Sequence, residues 1–152
     1  MEFEKIKREI LGKKYSLSIA YVSQKKSREL NKKYRNVDKP TNVLSFALHK
    51  DAGELVLCKS IIRKELKKFG RTFEQLLGFL VIHGMLHLKG MEHSSRMERA
   101  EAKYDKKYFY RNRHGIHHDQ SRSGRVFEGR KKPQDYRRGR IGNERRPAWI
   151  RC

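Results

Sequence analysis

A single small layered domain, α+β or α/β, is what the sequence predicts, and three observations predict it. The chain is 152 residues and 18.2 kDa, enough for one domain with its own core. Segments with helical spacing of apolar residues alternate with apolar runs too short for helices, and no internal repeat links them. The most apolar segment, Phe73 to Leu88, lies mid-chain where a buried central helix would sit.

The elements follow in order. Phe3, Ile6, Ile10 and Leu11 recur at helical spacing and Gly12 stands at the stop, predicting a short amphipathic helix. Leu17, Ile19 and Tyr21 alternate with small residues and lead into Val22, which predicts a strand. Ser23 is placed to cap a helix from Gln24 to about Tyr34, with Leu30 and Tyr34 inward, a strongly basic outer face and Asp38-Lys39-Pro40 as its end. The runs 43–48 and 54–58, separated by Asp51-Ala52-Gly53, predict two strands. Ser60 precedes a helix through Ile61, Ile62, Leu66 and Phe69 that Gly70 closes, and Thr72 with Gln75 forms a capping pair for the helix 73–88. After Gly90, residues from about Ser95 to Tyr110 predict a last helix with Met97, Tyr104 and Tyr108 towards the core.

Charge narrows the partners. Lys plus Arg number 38 against 17 Asp plus Glu, a net of +21, which calls for a polyanion. Residues 1–110 hold 25 basic and 13 acidic side chains, net +12, and residues 111–152 hold 13 and 4, net +9. The second segment lacks apolar periodicity and has too little apolar surface to offset ordering entropy, so it is expected to be a disordered basic tail. It is either an arm for RNA phosphates or a solvated appendage adding non-specific affinity. His114, His117 and His118 within it have no preformed geometry for a metal. No apolar run reaches the roughly 18 residues of a membrane span, and the first residues lack the apolar stretch of a secretory signal. Two cysteines, Cys58 and Cys152, make no disulfide framework, and a cytoplasmic location is expected.

The chemistry concentrates in His83-Gly84-Met85-Leu86-His87-Leu88-Lys89-Gly90-Met91-Glu92-His93. His83 and His87 are i, i+4 and share one helical face, while Gly90 is able to take the positive φ that turns the chain back and brings His93 to the same point. Three imidazoles with a fourth position open are the ligand count of a catalytic zinc, an ion that lowers the pKa of water from about 16 to roughly 7. Three such rings inside an apolar segment would be costly to satisfy without a ligand. The spacing matches that of zincin metallopeptidases, which carry their general base directly after the first His. Here that residue is Gly84, which leaves peptide hydrolysis without its base.

The same stretch resembles the signature His-Gly-x-Leu-His-Leu-x-Gly-Tyr-Asp-His of the bacterial YbeY endoribonucleases, with Met91 and Glu92 in place of Tyr and Asp. A second block, Leu30-Asn31-Lys32-Lys33-Tyr34-Arg35-Asn36-Val37-Asp38-Lys39-Pro40-Thr41-Asn42-Val43-Leu44-Ser45-Phe46, is similar to that family's Leu-Asn-x-x-Tyr-Arg-x-x-Asp-x-Pro-Thr-Asn-Val-Leu-Ser-Phe. The resemblance covers about residues 3–110 and departs in three further places. Gly53-Glu54-Leu55 replaces Gly-Asp-Ile, the family's N-terminal strand has no counterpart, and neither has the 42-residue basic extension.

The resemblance implies an α+β fold with a small mixed sheet and a zincin-like central helix, comprising an enzymatic domain over 1–110 ahead of the tail at 111–152. It implies one zinc held by His83, His87 and His93, no other cofactor, and catalysis resting on Arg35 and His83, with Arg35 also meeting the RNA. The implied activity is cleavage of single-stranded RNA in 16S rRNA 3′-end maturation and ribosome quality control, with the small ribosomal subunit as partner and no membrane. Two alternatives stay open: a ribosome assembly factor whose metal is chiefly structural, and a zinc metallopeptidase. From the residues themselves, Arg35 suits bidentate phosphate binding or a structural pair with Asp38. Glu54 and Glu92 are candidates to position water, and Thr41 and Asn42 read as a turn ordering the next strand.

Overall fold

A computed structural model describes residues 3–110 together with Ile150 and Arg151. The helix α1 spans Phe3–Ile10, strand β1 Ser16–Tyr21, α2 Gln24–Arg35, β2 Val43–His49, β3 Ala52–Leu57, α3 Lys59–Phe69, α4 Phe73–Leu88 and α5 Ser95–Asp105. A π-helical turn, Lys106–Tyr110, continues α5, and Ile150–Arg151 form the two-residue strand β4. The rest of the expected tail lies outside the described residues.

The sheet is mixed, as expected for this α+β fold, in the order β1-β3-β2-β4. β1 runs parallel to β3, while β2 pairs antiparallel with β3 from Val43–Leu57 to His49–Ala52, with an irregularity between Ala47 and His49. β4 pairs antiparallel with β2 at Ser45 and Phe46. Alternation along the strands sorts side chains into two layers. Val43, Leu55 and Leu57 join Ile6 and Ile10 of α1, Ile62 of α3, Met97 of α5 and most of α4 in the main core. Leu44, Phe46 and Val56 point the other way, against Leu30 and Tyr34 of α2. The sheet thus separates α2 from the layer built on α4.

Local chemistry sets the boundaries. Gly12, Gly70 and Gly90 all adopt positive φ at helix ends, where a side chain would be strained. Thr72 and Gln75 make the reciprocal capping box the sequence indicates. Two boundaries differ from expectation. β3 already begins at Ala52, because Ser16 and Leu17 of β1 pair with Ala52 and Gly53, leaving a tight turn at Lys50 and Asp51. α3 begins at Lys59, so Ser60 lies inside it and Cys58 occupies the cap position without a capping side-chain bond.

The segment 36–42 is latched to α2. Ser27 Oγ donates to the Thr41 carbonyl at 2.7 Å and accepts from its N–H at 2.9 Å, and Asn31 Nδ2 donates to the Lys39 carbonyl at 2.7 Å. Asn42 donates to Glu65 of α3 at 2.8 Å. Thr41 and Asn42 therefore order the entry to β2, the structural role their sequence context suggested.

Candidate metal centre

Helix α4 is buried almost all round, from Leu76 to His87. Its last two turns carry His83 and His87, and its end is a pair of bonds, Met91 N–H to the Leu86 carbonyl at 3.0 Å and Gly90 N–H to the His87 carbonyl at 2.9 Å. This is the Schellman pattern, closed by Gly90 at φ 98°. It folds the chain back so that His93 stands against both helical histidines, with ring centroids 5.2 Å from His83 and 4.6 Å from His87.

One ligand atom from each of the three rings falls within 4.8 Å of the others, the metal-competent group among the described residues. His83 Nε2 and His87 Nε2 are 3.1 Å apart. Two nitrogens on a tetrahedral zinc, each bonded at about 2.05 Å, would be about 3.3 Å apart, so the helical pair is already spaced for the ion. His87 Nδ1 lies 2.9 Å from the Met91 carbonyl oxygen, which only accepts, so Nδ1 carries the proton and Nε2 presents its lone pair to the group. His83 Nδ1 lies 2.5 Å from Glu101 Oε1 on α5. The carboxyl end of α4, with its partial negative charge, favours a cation here.

Burial grades across the site: His87 is buried, His83 is half-buried and His93 is exposed. The expectation of three rings inside an apolar segment therefore needs correcting. His93 follows the glycine turn and leaves the core, which opens one side of the group to solvent. Three nitrogens and an open side fit a metal that meets substrate.

The other candidates fall elsewhere. Arg35 ends α2, which packs on the opposite face of the sheet from α4. The alternative of a structural pair with Asp38 is not the one formed. Arg28 takes both Asp38 oxygens, at 2.8 and 3.2 Å, with Lys32 at 3.7 Å, and no described carboxylate pairs with Arg35. The Arg28 hydrogen bond holds the Asp38 carboxyl below the usual carboxylate range. Glu54 alternates with Leu55 on β3 and so points to the α2 face, away from the histidines. Glu92 is exposed and stands outside the metal-competent group.

Gly84 faces the sheet. A Cβ there would lie 2.6 Å from Leu55 Cδ2 and 3.0 Å from Ser45 Oγ, so a glutamate at this position would enter the core. Histidine spacing alone does not point to Glu101. The available signal was its place one helical turn beyond Met97, the residue that marks the inward stripe of α5.

The fold and site together define a small α+β protein with three histidines, close enough to hold a metal ion, gathered at the carboxyl end of its central helix on a strongly basic chain. Residues 2–112 match the family model described as Endoribonuclease YbeY. The chain belongs to that family, whose members carry the name Endoribonuclease YbeY. It is 35% identical over 97 residues to the Endoribonuclease YbeY of Staphylococcus carnosus, a match covering 56% of this chain and 63% of that one, a little under two thirds of the relative. The same-named protein of Staphylococcus aureus strain JH9 is 33% identical over 115 residues, covering 66% of this chain and 74% of that one. Among solved structures, the solution structure of TM1509 from Thermotoga maritima aligns with a TM-score of 0.53 at 35% identity, covering 68% of this chain and 74% of that one.

Proposed function

We propose that this protein is a zinc-dependent endoribonuclease specific for single-stranded RNA, acting in the cytoplasm on the small ribosomal subunit, in 16S rRNA 3′-end maturation and ribosome quality control. The observation that carries this reading is the convergence of His83, His87 and His93 on one point with a solvent-facing side, in a chain of that family. When bound, zinc supplies Lewis acidity to water and to a phosphoryl oxygen. The chain's own residues do the rest. His83 and His87 present Nε2 from one helical face, with the His87 tautomer fixed through Nδ1, and His93 completes the set from the loop. Arg35, with no described carboxylate beside it, is available to grip an RNA phosphate through its planar fork. Because α2 and α4 lie on opposite faces of the sheet, the phosphate at Arg35 need not be the one being cut. Residues 111–152 contribute net +9 of sequence-independent attraction.

A chiefly structural metal would call for a closed set of four donors, and three assemble here among the described residues. No helix among the described residues is long and apolar enough to cross a membrane. The test is cleavage of a single-stranded rRNA fragment spanning the 16S 3′ end by wild type and His83→Ala, with metal content measured on both. The proposal expects the variant to lose zinc and cleavage together. A variant that cuts at the wild-type rate would overturn it.

A further inference from the structure

The contact between His83 and Glu101 is unlike the other contacts of the site, because it brings a charged group from a second helix onto the back of a ligand ring. We propose that Glu101 is the positioning residue of the metal centre, fixing the tautomer and orientation of His83 and strengthening its Nε2 as a donor. The proposal rests on the metal reading above. Glu101 Oε1 lies 2.5 Å from His83 Nδ1, and the two side chains are only 14% and 13% exposed. A carboxylate accepts, so Nδ1–H donates and the lone pair of Nε2 is turned into the group. His87 reaches the same tautomer through the neutral Met91 carbonyl. The two helical ligands are thus oriented by different acceptors, one of them charged, and a charged acceptor raises the basicity of the ring it holds.

Glu101 is itself held in place. Met97, Glu101 and Asp105 follow one another at single helical turns on α5 and face α4. Asp105 receives two bonds of 2.8 Å from Arg71, the residue just before the Thr72 cap of α4, and the Arg71 guanidinium lies 4.6 Å from the Phe79 ring centre. Further along, the Phe109 ring occupies the space that a side chain at Gly78 would need. The two helices are therefore fastened by Met97 on one side of Glu101 and by Asp105 and Phe109 on the other, without its help. A clamp would duplicate Arg71–Asp105, whereas no other described hydrogen bond reaches His83 Nδ1.

The test uses the full chain and zinc alone as probe. Zinc affinity is measured by competition with a chromophoric chelator for wild type, Glu101→Ala, Glu101→Gln and Asp105→Asn, and nitrogen-15 shifts report the His83 tautomer in the metal-free proteins. Glu101→Ala should weaken zinc roughly 10- to 100-fold and let His83 populate both tautomers. Glu101→Gln keeps an acceptor without the charge, so it should retain the tautomer and fall between the two in affinity. Asp105→Asn should lower the melting temperature with less than a threefold change in affinity, which separates orientation from clamping. A Glu101→Ala protein that binds zinc within twofold of wild type, with His83 still protonated on Nδ1, overturns the role of Glu101 while leaving the metal centre standing. Wild type that binds no zinc overturns both.

Discussion

Replacing Gly84 by Ala tests whether this position, which holds the general base in zincin peptidases, faces the sheet or the site. The added Cβ would stand 2.6 Å from Leu55 Cδ2, about 1 Å inside the carbon–carbon optimum of about 3.5–4.0 Å. Leu55 is fully buried and has no solvent to swing into. Overpacking of this kind costs about 1–3 kcal/mol, while Ala in place of Gly inside a helix returns about 1 kcal/mol, so Gly84→Ala should destabilise by about 1 kcal/mol net. Leu55→Ala alone opens a cavity and should cost about 2–5 kcal/mol. In the double variant the overlap with Leu55 disappears, leaving the helix gain set against the tight contact with Ser45 Oγ at 3.0 Å. The two changes should therefore couple by about 1–3 kcal/mol in urea unfolding of the four proteins. Additivity within about 0.5 kcal/mol would show that residue 84 does not point at Leu55, and the argument that no base fits there would fall with it.

Arg35→Lys keeps the charge and loses the fork, so RNA cleavage should drop at least about tenfold with zinc content unchanged; a lysine that serves equally well makes the residue a point charge. The Glu9 carboxyl is held below its usual range chiefly by its hydrogen bond from Lys107, which ties α1 to the turn after α5. A lowered carboxyl contributes stability that is present above the ordinary carboxylate pKa of about 4.3 and lost as pH falls through the folded value. Glu9→Gln should accordingly lose less stability than wild type between pH 6 and about pH 3, read from urea midpoints, and parallel curves would refute the tie. Deleting residues 111–152 should weaken RNA binding alike for every sequence and flatten the slope of log K against log salt by roughly 0.7 for each phosphate no longer neutralised. An unchanged slope would make the segment a bystander.

Local signals carried far in this chain because they are chemical. Gly12, Gly70 and Gly90 mark helix ends by the φ they permit, and Thr72 with Gln75 announces a capping box three residues wide. The histidine group was legible for the same reason, since an i, i+4 pair and a glycine turn fix their own geometry. Sequence falls short where pairing between distant segments decides. β3 starts at Ala52 because β1 lies beside it, a partner 36 residues earlier that no local pattern names. His93 is exposed because the turn carries it out of a segment whose composition reads as core. Arg35 and Glu54 share the α2 side of the sheet, and Glu101 meets His83 because α5 packs on α4 through Met97, a contact between helices that no local pattern names.

The central claim is that RNA cleavage depends on one metal held by His83, His87 and His93. The most direct measurement removes metal from the full chain with a chelator, dialyses the chelator away, and follows cleavage of a single-stranded rRNA fragment while zinc is titrated back. The account predicts no cleavage without metal and full recovery at about one equivalent of zinc, with His87→Ala showing neither tight binding nor recovery. Cleavage at the full rate by the metal-free protein, or by His87→Ala, would contradict it.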